Sequence, residues 1–212
     1  MKHKTTQVLY AYWNMVRNGR LAPRRFDIEP ARIGSILPDT FILERLADGT
    51  YRFRLAGTRI AERFGDGMRG SNFLDNWEPG DPEALVRILA DVTEKACVRL
   101  LAIEASTTDG RTIEIELLLL PLVHTQGTID RVLGSIAAIE DIPFDSSGTV
   151  ASKKLLESEL IWPDGHPHAA LQAAAPADLF MPHVRNARIV RQDRRQFRVY
   201  DGGLDKPAGD KL

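Results

Sequence analysis

The chain has 212 residues, 43% hydrophobic and 27% charged, with a formal net charge of -1. That size permits one core of ~100 to 150 residues plus an appendage, and the charge balance argues against wholesale nucleic-acid wrapping. The single cysteine, Cys97, allows no intrachain disulfide or cysteine-based metal cluster, and no apolar run approaches the ~20 residues of a membrane span. A cytoplasmic location is the expectation.

Residues 1–20 read as an amphipathic flanking helix. Val8, Leu9, Tyr12, Trp13 and Val16 recur at helical spacing before the stop at Asn18-Gly19, so the stripe can cover its own sheet or meet a second subunit. Residues 21–39 form a connector punctuated by Pro23, Pro30 and Pro38, with a short helix expected over Asp27–Leu37. Two strands then flank Ala47-Asp48-Gly49, with Phe41, Leu43, Tyr51, Phe53 and Leu55 in alternation. Thr58–Phe64 reads as a short helix ending at Gly65. Beyond glycines 65, 67 and 70, Phe73, Leu74 and Trp77 fall at near-helical spacing, placing aromatics in a core or along a pocket.

The longest convincing helix runs from Asp81 to Ala96, with Leu85, Ile88, Leu89 and Val92 as its apolar stripe. It leads into three antiparallel strands between Cys97 and Glu140. Asp109-Gly110 marks the first turn, and Ile113, Ile115 and Leu117 alternate with Thr112, Glu114 and Glu116. From Leu117 to Val123 both faces turn apolar, which predicts a central strand covered on both sides, or one that meets a helix or partner. Contact of this run, through residues such as Leu117 and Leu119, with the Tyr12 and Trp13 helix is the specific expectation.

The simplest packing is an α+β domain over residues 21–142, a five-stranded antiparallel sheet with helices on one face, followed by a C-terminal extension. Residues 143–182 read as a linker with a short helix over Lys153–Ile161. In residues 183–200, a basic hairpin-like segment, Arg185, Arg188, Arg191, Arg194, Arg195 and Arg198 stand against Asp193. Residues 201–212 read as a disordered tail.

The segment Tyr51-Arg-Phe-Arg-Leu-Ala-Gly-Thr-Arg-Ile, the break at Phe64-Gly65 and the run Arg69-Gly70-Ser71-Asn72-Phe73-Leu74, ahead of a helix and a meander, resemble a PAS domain. The particular resemblance is to a small alphaproteobacterial family of PAS-like proteins. It implies a sensory or regulatory, noncatalytic protein that responds to a small ligand or signalling partner and forms a homodimer through its flanking helix. Asn72, Phe73 and Trp77 become the candidate pocket, open to a noncovalent flavin or a small apolar ligand, or simply packed core. Phe73 stands where an adduct-forming flavin domain would carry cysteine, and Asp81–Ala96 lacks the axial histidine of a haem sensor, so both chemistries are disfavoured.

No nucleophile elbow, phosphate loop or zinc-protease motif appears. His166, His168 and Asp164 lack further ligands on a common scaffold, and no metal is expected. Glu114 and Glu116 fit a solvated strand face better than paired-carboxylate chemistry. The alternative function is a transcription-associated, nucleic-acid-binding factor that uses the C-terminal arginines.

Overall fold

The strand at the centre of the molecule, β4 (Thr112–Val123), carries apolar side chains on both faces because both faces are covered. A computed structural model describes residues 1–124, 127–139 and 148–168, all within one unit spanning residues 1–172. The other strands are β1 (Thr40–Arg45), β2 (Tyr51–Ala56), β3 (Val98–Thr107), β5 (Ile129–Ala138) and β6 (Val150–Ile161). They form one antiparallel sheet in the order β2-β1-β5-β4-β3-β6. The helices are α1 (Lys4–Arg17), α2 (Thr58–Phe64) and α3 (Asp81–Lys95).

Two cores result from the pleat of β4. Leu117 and Leu119 join Ile113 and Ile115 toward α2 and α3, with Leu85, Leu89 and Val92 of α3 opposite them. Leu118, Leu120 and Leu122 point the other way, into a core with Leu9, Tyr12 and Trp13 of α1. The expected contact between the doubly apolar run and the Tyr12 and Trp13 helix therefore forms within the chain. Leu117 and Leu119, expected to take part, sit on the opposite face, since the period-two pleat divides alternate residues of the run.

Four sequence expectations are corrected. Six strands replace five, and helices cover both faces rather than one. The short helix expected over Lys153–Ile161, inside the expected linker 143–182, is strand β6 on the free edge of β3. Its register shifts between Ala102 and Ile103, where Leu156 is the extra residue. The shift reverses the facing of the strand. Leu155 pairs with Ile103 of the α3-side core, whereas Glu157 pairs with Ala102 and Ile161 with Val98, on the α1 side. Finally, the helix expected over Asp27–Leu37 is broken into 3-10 turns at Arg25–Asp27, Pro30–Ile33 and Leu37–Asp39.

Gly134 of β5 shows how tightly the sheet is packed. A Cβ there would lie 2.2 Å from Cζ of Phe41 and 2.5 Å from the carbonyl oxygen of Leu118. Only a glycine lets the Phe41 ring sit flat on the sheet.

Candidate functional site

Residues 70–78 form a strap, largely without regular structure, that links the two edges of the sheet. At one end Gly70 donates to the carbonyl of Phe53 (2.7 Å), Phe53 to that of Ser71 (3.0 Å) and Phe73 to that of Tyr51 (2.8 Å), all on β2. At the other end Lys153 of β6 donates its N–H to the carbonyl of Asn76, and Glu78 donates to the carbonyl of Lys153, both at 2.8 Å. Asn76 supports the turn between them with a left-handed backbone (φ 60°). Asp81 adds a third tie to β6. It is the first residue of α3, and its carboxylate accepts the N–H of Leu155 (2.7 Å).

The strap drives an aromatic cluster into the interior. Phe73 and Trp77 are 2% and 9% exposed, with ring centroids 5.9 Å apart, and the Trp77 indole donates to the Phe73 carbonyl at 2.8 Å. Phe53 lies 5.9 Å and Phe41 6.4 Å from Phe73. Beside this cluster is a cavity of about 160 Å³, bounded by Phe53, Phe64, Met68 and Val150 and by Ser71, Asn72, Asp75, Asn76 and Lys153. Of the three sequence candidates, Asn72 lines the cavity, Phe73 fills the core, and Trp77 packs between Phe73 and Lys153.

Lys153 is the residue sequence reasoning missed, because the bulge that aims it inward is invisible in the alternation. Its half-buried ammonium stands over the Trp77 ring at 4.9 Å and the Phe64 ring at 6.0 Å. Burial pushes the Lys153 ammonium down to about 8, with the negative charge of Asp75 acting in the opposite direction. Cys97 is fully buried, and burial pushes its thiol up to about 11, so it is not poised as a thiolate nucleophile.

The cavity beneath the strap is too small for a flavin in this arrangement. Small-molecule sites usually occupy at least roughly 300 Å³, and Phe41, Phe53, Phe73 and Trp77 already fill the interior beside the cavity. Among the described residues no three His, Cys, Asp or Glu side chains converge on a metal position. His168 is buried, with Nε2 3.4 Å from the carbonyl of Ala96 and Nδ1 3.8 Å from Asp164. No described helix is long and apolar enough to cross a membrane.

On the other face α1 is latched rather than left open. Glu116, expected to be solvated, is 5% exposed and accepts the N–H groups of Lys2 (2.6 Å) and His3 (3.0 Å). Burial alone would raise its carboxyl, but these bonds hold it below the usual carboxylate range. The Trp13 indole donates to the carbonyl of Pro121 (2.9 Å), and Glu29 donates its N–H to the Tyr12 hydroxyl (2.7 Å). Leu9, Tyr12 and Trp13, expected either to cover the chain's own sheet or to meet a second subunit, pack on the chain's own sheet, whereas Val8 is 36% and Met15 57% exposed.

The C-terminal end of α1 meets the end of β6. Arg17, 3% exposed, binds Asp164 through both carboxylate oxygens at 2.6 and 3.2 Å, and its guanidinium lies 5.7 Å from the centre of the Trp13 ring. Arg185, Arg188, Arg191, Arg194, Arg195 and Arg198, with the rest of the expected hairpin and tail, lie outside the described residues.

No curated protein matches the sequence. Among solved structures the chain is similar to the light-state structure of the blue-light photoreceptor Aureochrome1 LOV. That match has 18% identity and a TM-score of 0.40, over 54% of this chain and 90% of that one. A structure from work on a flavin analogue and the light-oxygen-voltage domain mechanism matches at 16% identity and a TM-score of 0.40, over 52% and 84%. At these values neither likeness transfers a ligand or a chemistry. The family relation is carried by the sequence: residues 1–137 match the PAS domain model, and the chain belongs to the PAS domain family of sensory and regulatory modules.

Proposed function

We propose that this chain is a noncatalytic sensory domain in which occupancy of the cavity beneath the 70–78 strap changes the seating of β6, and through β6 that of α1. The observation that supports this reading is the double role of Lys153. Its side chain lines the cavity, and both of its main-chain polar groups bond the strap. The same strand continues past its bulge to Ile161 in the α1-side core and to Asp164, which holds Arg17. A ligand that displaces Trp77 or Lys153 thereby acts on a continuous hydrogen-bonded element, and a ligand shifts the equilibrium only by its differential affinity for the two seatings.

The output is a change in the contacts of α1, whose exposed Val8 and Met15 offer a small apolar surface to a signalling partner or a second copy. Homodimerisation through this helix belongs to the same proposal. The test is native mass spectrometry of freshly purified protein, followed by hydrogen exchange with and without the ligand found. Slowed exchange in 70–78, 150–161 and 4–17 together is the expected result. A bound ligand whose effect is confined to 70–78 contradicts the coupling.

A further inference from the structure

We propose that the cavity beneath the strap binds a small organic carboxylate, with the Lys153 ammonium as its counter-ion. The inference rests on the reading of this cavity as the sensory site and names the class of ligand.

The cation is already in place and lacks an ion-pair partner among the described residues. The faces of Trp77 and Phe64 lie 4.9 and 6.0 Å from it. Ring faces stabilise a cation less than a carboxylate does, and a half-buried ammonium without an ion-paired carboxylate is costly. The lowered pKa of Lys153 is the expected mark of that cost. From α2 and β2 the facing groups are apolar, Phe64 and Phe53; from the strap the facing charge is Asp75. The Asp75 carboxylate favours the charged lysine without an ion pair to it, and one of its oxygens accepts the N–H of Asn72 at 3.0 Å.

The rest of the cavity narrows the ligand. Its polar groups include Asn72 and Asn76, and its apolar wall is built from Phe53, Met68 and Val150. A volume of about 160 Å³ corresponds to roughly five waters at ~30 Å³ each. That suits a carboxylate head with a short alkyl body. A phosphate is less well matched, because it calls for several charged donors and the cavity offers one. β6 lies beyond residues 1–137, so Lys153 is outside the part of the chain that the PAS domain model covers.

The experiment is a titration of the full chain with propionate, followed by calorimetry and by the Trp77 indole signal in NMR spectra. Saturable binding at millimolar concentration is expected, with propionamide, its neutral isostere, at least tenfold weaker. Lys153→Met should weaken propionate at least tenfold, Lys153→Arg should restore part of the affinity, and Asp75→Asn should tighten binding. Protonated Lys153 is the binding form, so Kd should rise about tenfold from pH 7 to pH 9 as the free ammonium titrates. Equal affinity for propionate and propionamide, or a Kd unchanged in a folded Lys153→Met variant, overturns the proposal. So does the absence of saturable binding by propionate and butyrate. Lysine-dependent propionate binding that leaves exchange in 150–161 and 4–17 unchanged would uphold the carboxylate site while refuting the sensory coupling.

Discussion

The two faces of the sheet are covered in different ways. On one face a regular helix lies over Leu118, Leu120 and Leu122, with its N-terminus bound by Glu116, its middle by the Pro121 carbonyl and its C-terminus by Asp164. On the other, beside α2 and α3, an irregular strap crosses between the sheet edges and leaves beneath it a cavity and a cation without an ion pair among the described residues. On the first face Glu116, Tyr12, Trp13 and Arg17 are matched within the chain, although the buried Ser135 hydroxyl, opposite Leu118, has no hydrogen-bond partner among the described residues. The second retains unfilled space and a cation without an ion pair among the described residues, the two features on which the proposed site rests.

The largest test of this contrast compares two tryptophans. Trp13→Ala should cost about 4 kcal/mol in chemical unfolding, through lost packing and an orphaned Pro121 carbonyl, whereas Trp77→Ala at the cavity margin should cost about 2 to 3 kcal/mol. Equal costs would remove the distinction between the faces. Gly134→Ala comes next, at about 2 to 3 kcal/mol by the same measurement, because its Cβ would overlap the Phe41 ring and the Leu118 carbonyl.

Glu116→Gln should cost about 1.5 to 2 kcal/mol, since an amide can accept one of the two N–H groups but opposes the other with its own donors. The folded Glu116 carboxyl lies below its ordinary 4.5, so its contribution is fully present above that value and is lost as the pH falls through the depressed folded value. Stability measured against pH should therefore decline less steeply below 4.5 in the Gln variant than in the parent.

The smallest expected effect has the opposite sign. Lys153→Met should stabilise the fold at pH 7 by about 1 kcal/mol, since relief of desolvation exceeds the loss of a cation–π contact. The folded ammonium titrates at about 8 against an ordinary 10.5, so the unfolded chain binds more protons between these values. In the parent the burden of this charge is present below about 8 and lifts as the pH rises toward 10.5, narrowing the gap between variant and parent. A destabilised variant at pH 7 would place Lys153 with the structural groups of the other face.

The readable parts of this contrast are those with clean periodicity. The helix from Asp81, both hairpins and the run of β4 have one repeat each, and all appear where the pattern puts them. β6 was not readable, because its bulge at Leu156 interrupts the alternation. With Leu155, Leu156, Leu160 and Ile161 as its apolar positions amid lysines and glutamates, it imitates a helix. The same bulge hides Lys153, which in sequence is one of two adjacent lysines with every appearance of a solvated pair. Glu116 was misjudged for a different reason: strand alternation assigns a face but does not say what covers it.

The central claim is that the cavity and the α1 junction are coupled through β6. A double-mutant cycle of Trp77→Ala and Arg17→Gln, read by equilibrium unfolding, tests it most directly. Independent distant sites add to within about 0.3 to 0.5 kcal/mol, and the account predicts an interaction energy above that range. Additivity of the two substitutions would contradict it.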